Sequence, residues 1–268
     1  MSGITTLCIL GASGDLASRL LLPALGQLLA AEPTREVRLL GAGQDDWSDE
    51  RWRDVVQRAF STLDATGPAV DALLASTTYR RADVTDPAAL SALLAASQGH
   101  VALYFALPPA VAATACAALG SVHLPHGQVL ALEKPSGPDE RSAHALNALL
   151  ATLVPEAQVH RVDHFLGRST VLNVIGMRFA NRVFEPVWSA EHVESVVIRY
   201  DEELGLEGRA DYYDRAGALV DMLQSHLLQV LAVVAMELPA TLHTNDLRDA
   251  SSAALEATSV WNDDPAHF

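Results

Sequence analysis

The stretch LCILGASGDLASRLLLPAL, residues Leu7 to Leu25, decides the fold class of this chain. An apolar segment runs into two glycines, Gly11 and Gly14, and an apolar helical pattern begins directly after them. Glycine permits a sharp turn from strand to helix and lets backbone N–H groups approach an anion without a Cβ in the way. The N-terminus of the following helix suits a pyrophosphate, and the small Ala17 allows that helix to pack close to the sheet.

The spacing G-x-x-G-x-x-A departs from the dinucleotide fingerprint G-x-G-x-x-G, and a glycine-rich turn that binds nothing would have the same appearance. The rest of the first part of the chain favours a dinucleotide site. Strand-like runs alternate there with helical patterns, and the runs are TTLCILG, VRLLGAG, YRRADV, VALYFAL, QVLALEKP and QVHRVDHF. Such alternation predicts parallel strands joined by right-handed helical crossovers, with helices covering both faces of the sheet.

The pattern changes after about Gly167. The segment HVESVVIRYDEEL alternates like a half-exposed strand, and YYDRAGALVDMLQSHLLQVLAVVAME predicts one long helix. The sequence therefore predicts an α/β fold: a Rossmann-type, doubly wound parallel sheet over residues 1–166, followed by the beginning of an α+β domain over residues 167–268.

Composition excludes several classes of protein. Thirty-three acidic residues against eighteen basic ones give a formal charge of -15 at pH 7, which disfavours nucleic-acid and anionic membrane partners. Cys8 and Cys116 lie in apolar patterns, which predicts buried thiols in a reducing cytoplasm and no metal site. The uncharged stretch Val101 to Val122 is long enough for a membrane span, but Pro108 and Pro109 divide it into a strand and a helix.

Six motifs carry a resemblance to a known family: GASGDLASRLLLPAL, YFALPP, LEKPSG, HRVDHFLGRSTVLNVIGMRFANRVFEPVW, LEGRADYYDRAGALVDMLQSHLLQVLAVVAME and NDLRD. In their order and spacing, from about Leu7 to about Asp249, the chain resembles the glucose-6-phosphate dehydrogenases. The resemblance implies a cytoplasmic, NAD(P)-dependent oxidoreductase. Its reaction would be oxidation of glucose 6-phosphate at C1 to 6-phosphogluconolactone, which opens the pentose phosphate pathway.

The resemblance also implies roles for individual residues. His226 would take the proton from the C1 hydroxyl of the sugar, a task that suits a neutral imidazole near pH 7. Asp163 would orient His226, and Lys134 of the EKP motif would contact the substrate and position the nicotinamide. Beside Lys134, the residues that would bind the sugar phosphate are His164, Arg168, Glu202 and Asp221.

The implied cofactor contacts lie at the ends of predicted strands or directly after them. They are Gly11, Ala12, Ser13, Gly14, Asp15, Leu16, Gln44, Ala106, Pro108, Glu133 and Lys134. NADP-preferring members of the family usually carry an arginine just after the second strand, where this chain has Gln44 followed by Asp45 and Asp46. Those acids should repel a 2′-phosphate and accept ribose hydroxyls, so the sequence favours NAD or dual use and leaves NADP open.

Two further departures leave the sugar specificity open. Phe165 and Arg168 stand where many members have tyrosine and lysine, and Ala210-Asp211 replaces a usual glycine pair. Losing the phenol removes one possible hydrogen bond to phosphate, whereas arginine can bind phosphate bidentately.

On an α-helix Asp221 would lie about 140° around the axis from His226, so the two are expected to face different directions.

Each residue also has a purely structural interpretation, such as a core histidine at position 226 or a surface charge at Arg168. Family enzymes are nearly twice as long and homo-oligomeric, so the chain is expected to be truncated, without the antiparallel sheet that forms the dimer. One alternative function is a catalytically impaired, cofactor-binding homologue acting as a regulatory or assembly partner. Another is a different sugar oxidoreductase, because EKP also occurs in the glucose-fructose oxidoreductase group.

Overall fold

The computed structural model describes residues 5–134, 139–201, 214 and 217–259. The chain divides into two compact units, Met1–Val162 and Asp163–Phe268. The domain limits 1–166 and 167–268 derived from the sequence remain a prediction.

The first unit is built on a six-stranded sheet in which every neighbouring pair of strands is parallel. The strands are β1 (Thr5–Leu10), β2 (Val37–Gly43), β3 (Thr78–Arg81), β4 (His100–Phe105), β5 (Val129–Glu133) and β6 (Val159–Val162). Their order is β3-β2-β1-β4-β5-β6. The direction of winding therefore reverses between β1 and β4, where doubly wound sheets bind their ligands. This topology confirms the predicted Rossmann-type fold.

Helices connect these strands. The first begins at Asp15, passes through a π-helical segment at Ala17–Leu21 and continues as α1. The α-helices of this unit are α1 (Leu22–Ala31), α2 (Asp49–Ser61), α3 (Pro68–Ser76), α4 (Pro87–Ala96), α5 (Pro109–Leu119) and α6 (Glu140–Leu153). Helix α3 is missing from the sequence-based prediction, although Gly67 followed by Pro68 is a typical start signal.

Both faces of the sheet are covered by apolar side chains, as the continuous apolar strands predicted. Along β1, Cys8 and Leu10 belong to one buried cluster, whereas Ile9 belongs to another. Successive side chains of a strand point to opposite faces, so the two clusters lie on opposite sides of the sheet. Burial raises the pKa of the Cys8 and Cys116 thiols to about 12.

Residues 101–122 divide between β4 and α5, as the two prolines predicted. No helix within the described part of the chain is long and apolar enough to cross a membrane.

The regular elements described in the second unit are all helices or helical turns. It contains α7 (Ser169–Phe179), a 3₁₀ turn at Glu185–Val187, a π-helical segment at Leu219–Leu227, an α-helix at Leu228–Ala235 and a last α-helix at Thr244–Glu256. The predicted long helix is present over residues 217–235. Its central part is π-helical, which a search for α-helical periodicity does not detect.

The strand predicted over HVESVVIRYDEEL is wrong for residues 192–201, which form no strand. Val197 is 87% exposed there. An alternating segment becomes a strand only when the backbone of another strand bonds to it, and none does so among the described residues of this unit.

The end of the helix Leu228–Ala235 is held by side chains from elsewhere in the second unit. The buried guanidinium of Arg178 donates to the carbonyl oxygens of Val233 and Met236, at 2.6 Å each. The indole N–H of Trp188 donates to the carbonyl oxygen of Val234 at 2.9 Å. The last carbonyls of a helix have no partner within it, so these bonds satisfy groups that burial would otherwise penalise.

Candidate functional site

Every residue assigned to the cofactor by resemblance lies at the carboxyl edge of the sheet in the first unit. This is the edge at which open α/β sheets bind ligands. The positions are the turn 11–16 after β1, Gln44 after β2, Ala106 and Pro108 after β4, Glu133 at the end of β5, and Lys134 directly after it.

Gly11 is the position where only glycine fits. Its φ is +86°, and an added Cβ would lie 2.2 Å from the carbonyl oxygen of Ala106. The N–H groups of Gly11 and Ala12 both donate to the carbonyl oxygen of Ala42, at 2.8 and 2.9 Å. The turn is therefore hydrogen-bonded to the end of β2 and packs closely against the chain that follows β4. The N–H groups of Gly11 and Ala12 already donate to Ala42 in this structure.

The first turn of the following helix supplies other donors. The N–H of Gly14 donates to the carbonyl oxygen of Gly11 at 3.0 Å, which closes the turn. The helix then begins at Asp15 and Leu16, whose N–H groups have no partner within the helix because of their position in its first turn. These two groups are suited to an anion, and Gly11 leaves space for its approach because it has no Cβ.

The corner after β2 carries charges of both signs. Gln44, Asp45 and Asp46 are exposed. The guanidinium of Arg51 lies 4.7 Å from the ring centre of Trp47. Near the same loop, the Arg81 guanidinium at the end of β3 lies 4.0 Å from the Asp46 carboxylate. Asp45 and Asp46 therefore share this corner with two arginines, Arg51 and Arg81.

Tyr104 is a residue that sequence reasoning missed at this edge. Its hydroxyl donates to the carboxylate of Glu133, which immediately precedes Lys134. Burial raises the pKa of Tyr104, and the hydrogen bond and charge of Glu133 raise it further. The phenol therefore keeps its proton and fixes the glutamate. The signal was present in the YFALPP motif, of which Tyr104 is the first residue.

The second unit contains a buried acid–histidine pair. Asp163 Oδ1 lies 2.7 Å from His226 Nδ1, although the two residues are 63 positions apart. Only 8% of Asp163 and 7% of His226 are exposed. Asp163 also accepts a hydrogen bond from the N–H of Phe165 at 3.0 Å, which fixes the carboxylate. A proton on Nδ1 satisfies Asp163 and leaves Nε2 of His226 as a base.

Aromatic rings hold the histidine on its other sides. The ring of Phe165 stacks on His226 with centres 4.2 Å apart and an angle of 15° between the planes. The ring of His164 meets His226 edge-on at 4.8 Å. The orientation of His226 is thus set by packing as well as by its bond to Asp163.

The charges around His164 oppose one another. Its pKa is lowered, first by burial and then by the nearby His226 and Arg168, whereas the charges of Asp163 and Asp221 raise it. His164 is therefore mainly neutral at neutral pH in the absence of a ligand. No group of three His, Cys, Asp or Glu side chains in the part of the chain that is described is placed to hold a metal ion.

Asp221 and His226 share a face, contrary to the expectation from an α-helix. The segment Leu219–Leu227 is π-helical, and the N–H of Leu228 bonds to the carbonyl oxygen of Leu223, five residues back. Residues five apart are stacked neighbours in such a helix. The effect of Asp221 on the pKa of His164 also places its carboxylate close to this cluster.

Arg168 packs against two aromatic rings. Its guanidinium carbon is 4.4 Å from the ring centre of Phe165 and 5.1 Å from that of Tyr200. Arg168 Nη2 also donates to the Tyr200 hydroxyl at 3.3 Å. Tyr200 belongs to no motif, so nothing in the sequence pointed to it.

The second unit therefore brings together most of the residues predicted to handle the sugar: Asp163, His164, Arg168, Asp221 and His226. Lys134 belongs to the first unit. Glu202, Ala210 and Asp211 lie outside the described residues.

Comparison with known proteins identifies relatives along most of the chain. The family model described as "Glucose-6-phosphate dehydrogenase, NAD binding domain" matches residues 8–173, and that described as "Glucose-6-phosphate dehydrogenase, C-terminal domain" matches residues 175–267. The glucose-6-phosphate 1-dehydrogenase of Gluconobacter oxydans (strain 621H) is 41% identical over 263 residues, which cover 93% of this chain and 53% of that protein. The enzyme of Dickeya dadantii (strain 3937) is 37% identical, covering 94% and 53%. The chain thus spans about half the length of the curated relatives it matches.

Solved structures agree with this finding. The crystal structure of glucose-6-phosphate 1-dehydrogenase from Mycobacterium avium matches with a TM-score of 0.79 and 34% identity, over 93% of this chain and 56% of that one. A glucose-6-phosphate dehydrogenase in complex with its substrate glucose-6-phosphate matches with a TM-score of 0.82 and 29% identity, over 95% and 56%.

Proposed function

The chain belongs to the glucose-6-phosphate dehydrogenase family, and from this premise we propose that it oxidises glucose 6-phosphate at C1 to 6-phosphogluconolactone, with NAD or NADP as hydride acceptor. The observation that carries the proposal is the buried Asp163–His226 pair, in which a carboxylate binds Nδ1 of the histidine at 2.7 Å. We place the reaction in the cytoplasm, as the first oxidative step of the pentose phosphate pathway. Homo-oligomerisation is proposed on the family's example alone.

His226 is the proposed general base. Its Nε2 accepts the proton of the C1 hydroxyl as hydride leaves C1, and Nδ1 keeps its bond to Asp163. Asp163 stabilises the imidazolium that results and holds the ring in the required tautomer. The stacked ring of Phe165 prevents His226 from rotating away from the substrate.

Binding of the sugar phosphate is proposed for the residues around this pair. His164 and Arg168 bind the phosphate, and the charged guanidinium is the stronger of the two because His164 is mainly neutral without a ligand. Asp221 binds a sugar hydroxyl, on the same helix face as His226. Glu202 has the same proposed role, and Lys134 contacts the substrate and positions the nicotinamide.

The carboxyl edge of the first unit fits a dinucleotide. A Cβ at Gly11 would fill the space beside the carbonyl oxygen of Ala106, so the close approach of main chain there depends on glycine. The N–H groups of Asp15 and Leu16 are suited to the pyrophosphate. The nicotinamide, when bound, supplies the hydride acceptor. Ser13, Pro108 and Glu133 are the remaining proposed contacts of this edge, together with those named above.

The proposed cofactor preference is NAD, with NADP accepted. Asp45 and Asp46 disfavour a 2′-phosphate, and Gln44 offers no positive charge to meet one. Arg51 and Arg81 lie at the same corner and reduce the repulsion. Both cofactors therefore need to be tested.

The test follows the absorbance of the reduced nicotinamide with purified protein, glucose 6-phosphate, and NAD or NADP in turn. Turnover that falls by about 10³-fold or more in His226→Asn supports the proposal. The matched control is His144→Asn, because His144 is an exposed histidine that belongs neither to the proposed cofactor contacts nor to the proposed sugar-binding residues. Absence of turnover from folded protein that binds NAD contradicts catalysis by this chain and favours a cofactor-binding partner of a longer enzyme. Oxidation of other sugars in preference to glucose 6-phosphate contradicts the proposed specificity.

A further inference from the structure

Tyr200 lies beside Phe165, a position at which the family resemblance implies a tyrosine in many members. The ring of Tyr200 meets the Phe165 ring edge-on with centres 4.9 Å apart. Tyr200 is only half-buried, whereas Phe165 is 5% exposed. The ring of Tyr200 therefore packs against Phe165, and part of the Tyr200 side chain remains exposed.

Arg168 connects the Tyr200 hydroxyl to the proposed phosphate site. Its Nη2 donates to the Tyr200 oxygen at 3.3 Å. Both rings pack against the guanidinium, which keeps further N–H groups for an anion because arginine has five in all. Since the phenol oxygen accepts from Arg168, its own proton can be donated to a third group. An anion within reach of Arg168 is the acceptor that this arrangement suits, because a neighbouring positive charge makes the phenol a stronger donor.

We propose that Tyr200 binds the phosphate of the sugar together with Arg168, and supplies the phenol that Phe165 lacks. The inference rests on the proposed function for the identity of the ligand, a sugar phosphate. It assigns a specificity-determining role to a residue of a segment that carries no motif.

The test removes the hydroxyl and then moves it. Tyr200→Phe keeps the ring that packs on Arg168 and Phe165, and deletes only the donor. The double variant Phe165→Tyr/Tyr200→Phe places a phenol on the neighbouring ring. Calorimetric titrations of the full chain with glucose 6-phosphate, inorganic phosphate and glucose measure binding without requiring turnover.

We expect Tyr200→Phe to bind glucose 6-phosphate and inorganic phosphate about tenfold more weakly, as loss of a hydrogen bond to a charged group predicts. Glucose, which has no phosphate, should bind equally to both proteins. The double variant should recover most of the lost affinity. Where turnover is measurable, KM for glucose 6-phosphate should rise about tenfold with kcat nearly unchanged, and thermal unfolding of Tyr200→Phe should match that of the parent.

Unchanged affinity for glucose 6-phosphate in Tyr200→Phe overturns the inference and leaves the proposed function standing. An equal loss of glucose binding also overturns it, because the effect would then not involve phosphate. Tyr200-dependent phosphate binding in a chain without dehydrogenase turnover supports the inference while the proposed function fails. A parent protein that binds neither phosphate ligand overturns both.

Discussion

The carboxyl edge of the first unit and the polar cluster of the second differ in which part of the polypeptide forms them. The polar cluster consists of Asp163, His164, Arg168, Asp221 and His226. The edge is made by the main chain: a glycine with positive φ, N–H groups and the ends of parallel strands. The cluster is made by side chains, with Asp163 and His226 joined across 63 positions. A region made by the main chain depends on shape, whereas one made by side chains depends on charge and tautomer. Substitutions that change only one of these properties should therefore affect the two regions differently.

Asp163→Asn is expected to have the largest effect, since it changes charge at constant shape. The amide cannot stabilise an imidazolium at His226 and can bind the other ring tautomer, so kcat/KM should fall about 10²- to 10⁴-fold. Steady-state kinetics beside Asp71→Asn, an exposed acid of α3, provide the comparison. Turnover of Asp163→Asn within threefold of the parent would show that the pair is structural.

Gly11→Ala makes the opposite change, because a methyl group adds volume but neither charge nor a hydrogen-bonding group. Its Cβ would lie 2.2 Å from a carbonyl oxygen at a φ of +86°, so the free energy of unfolding should fall by roughly 2–5 kcal/mol. The control is Gly176→Ala within α7, where a Cβ meets nothing within 4 Å; it should be neutral or stabilising by up to about 1 kcal/mol. Urea unfolding followed by circular dichroism measures both, and equal midpoints for the two variants would refute the steric argument.

Arg178→Met tests whether the second unit depends on side-chain bonds for its architecture as well as for its chemistry. The carbonyl groups of Val233 and Met236 would lose their donors in a buried setting. We expect the free energy of unfolding to fall by about 2–4 kcal/mol. Arg199→Met, which removes an exposed arginine paired with Asp201, should leave the urea midpoint unchanged. A similar small change in Arg178→Met would mean that packing alone holds the helix.

The smallest expected effect is a pH dependence due to His164. Its pKa is lowered by burial, His226 and Arg168 more than Asp163 and Asp221 raise it, so the unfolded chain binds a proton at higher pH than the folded one. The contribution of His164 to the free energy of unfolding is therefore fully present above the ordinary histidine pKa of about 6.5. This contribution is lost as the pH falls below that value. Urea midpoints should decline less steeply between about pH 7 and 5 in His164→Gln than in the parent. Parallel profiles would contradict the assignment.

The main chain of the first region could be predicted from the sequence, because strand alternation and the Gly11 turn are local signals, whereas the bond of Tyr104 to Glu133 was missed. The second could not be predicted from periodicity. A bond between Asp163 and His226 depends on tertiary structure, and the family motifs alone drew attention to it. The strand expected at residues 192–201 failed because pairing is not a property of one segment. Tyr200, which packs against Phe165 and Arg168 from that same segment, had no signal.

The π-helical segment Leu219–Leu227 has a consequence for how this part of the chain tolerates change. Asp221 and His226 share a face because the helix there counts five residues to each hydrogen bond. Deleting one residue between them would leave the pair on one face even in an α-helix, since four residues turn by about 400°. A substitution that made the segment α-helical at its present length would instead place the two side chains about 140° apart. The shared face thus depends on the hydrogen-bond spacing of this helix as well as on the two side chains.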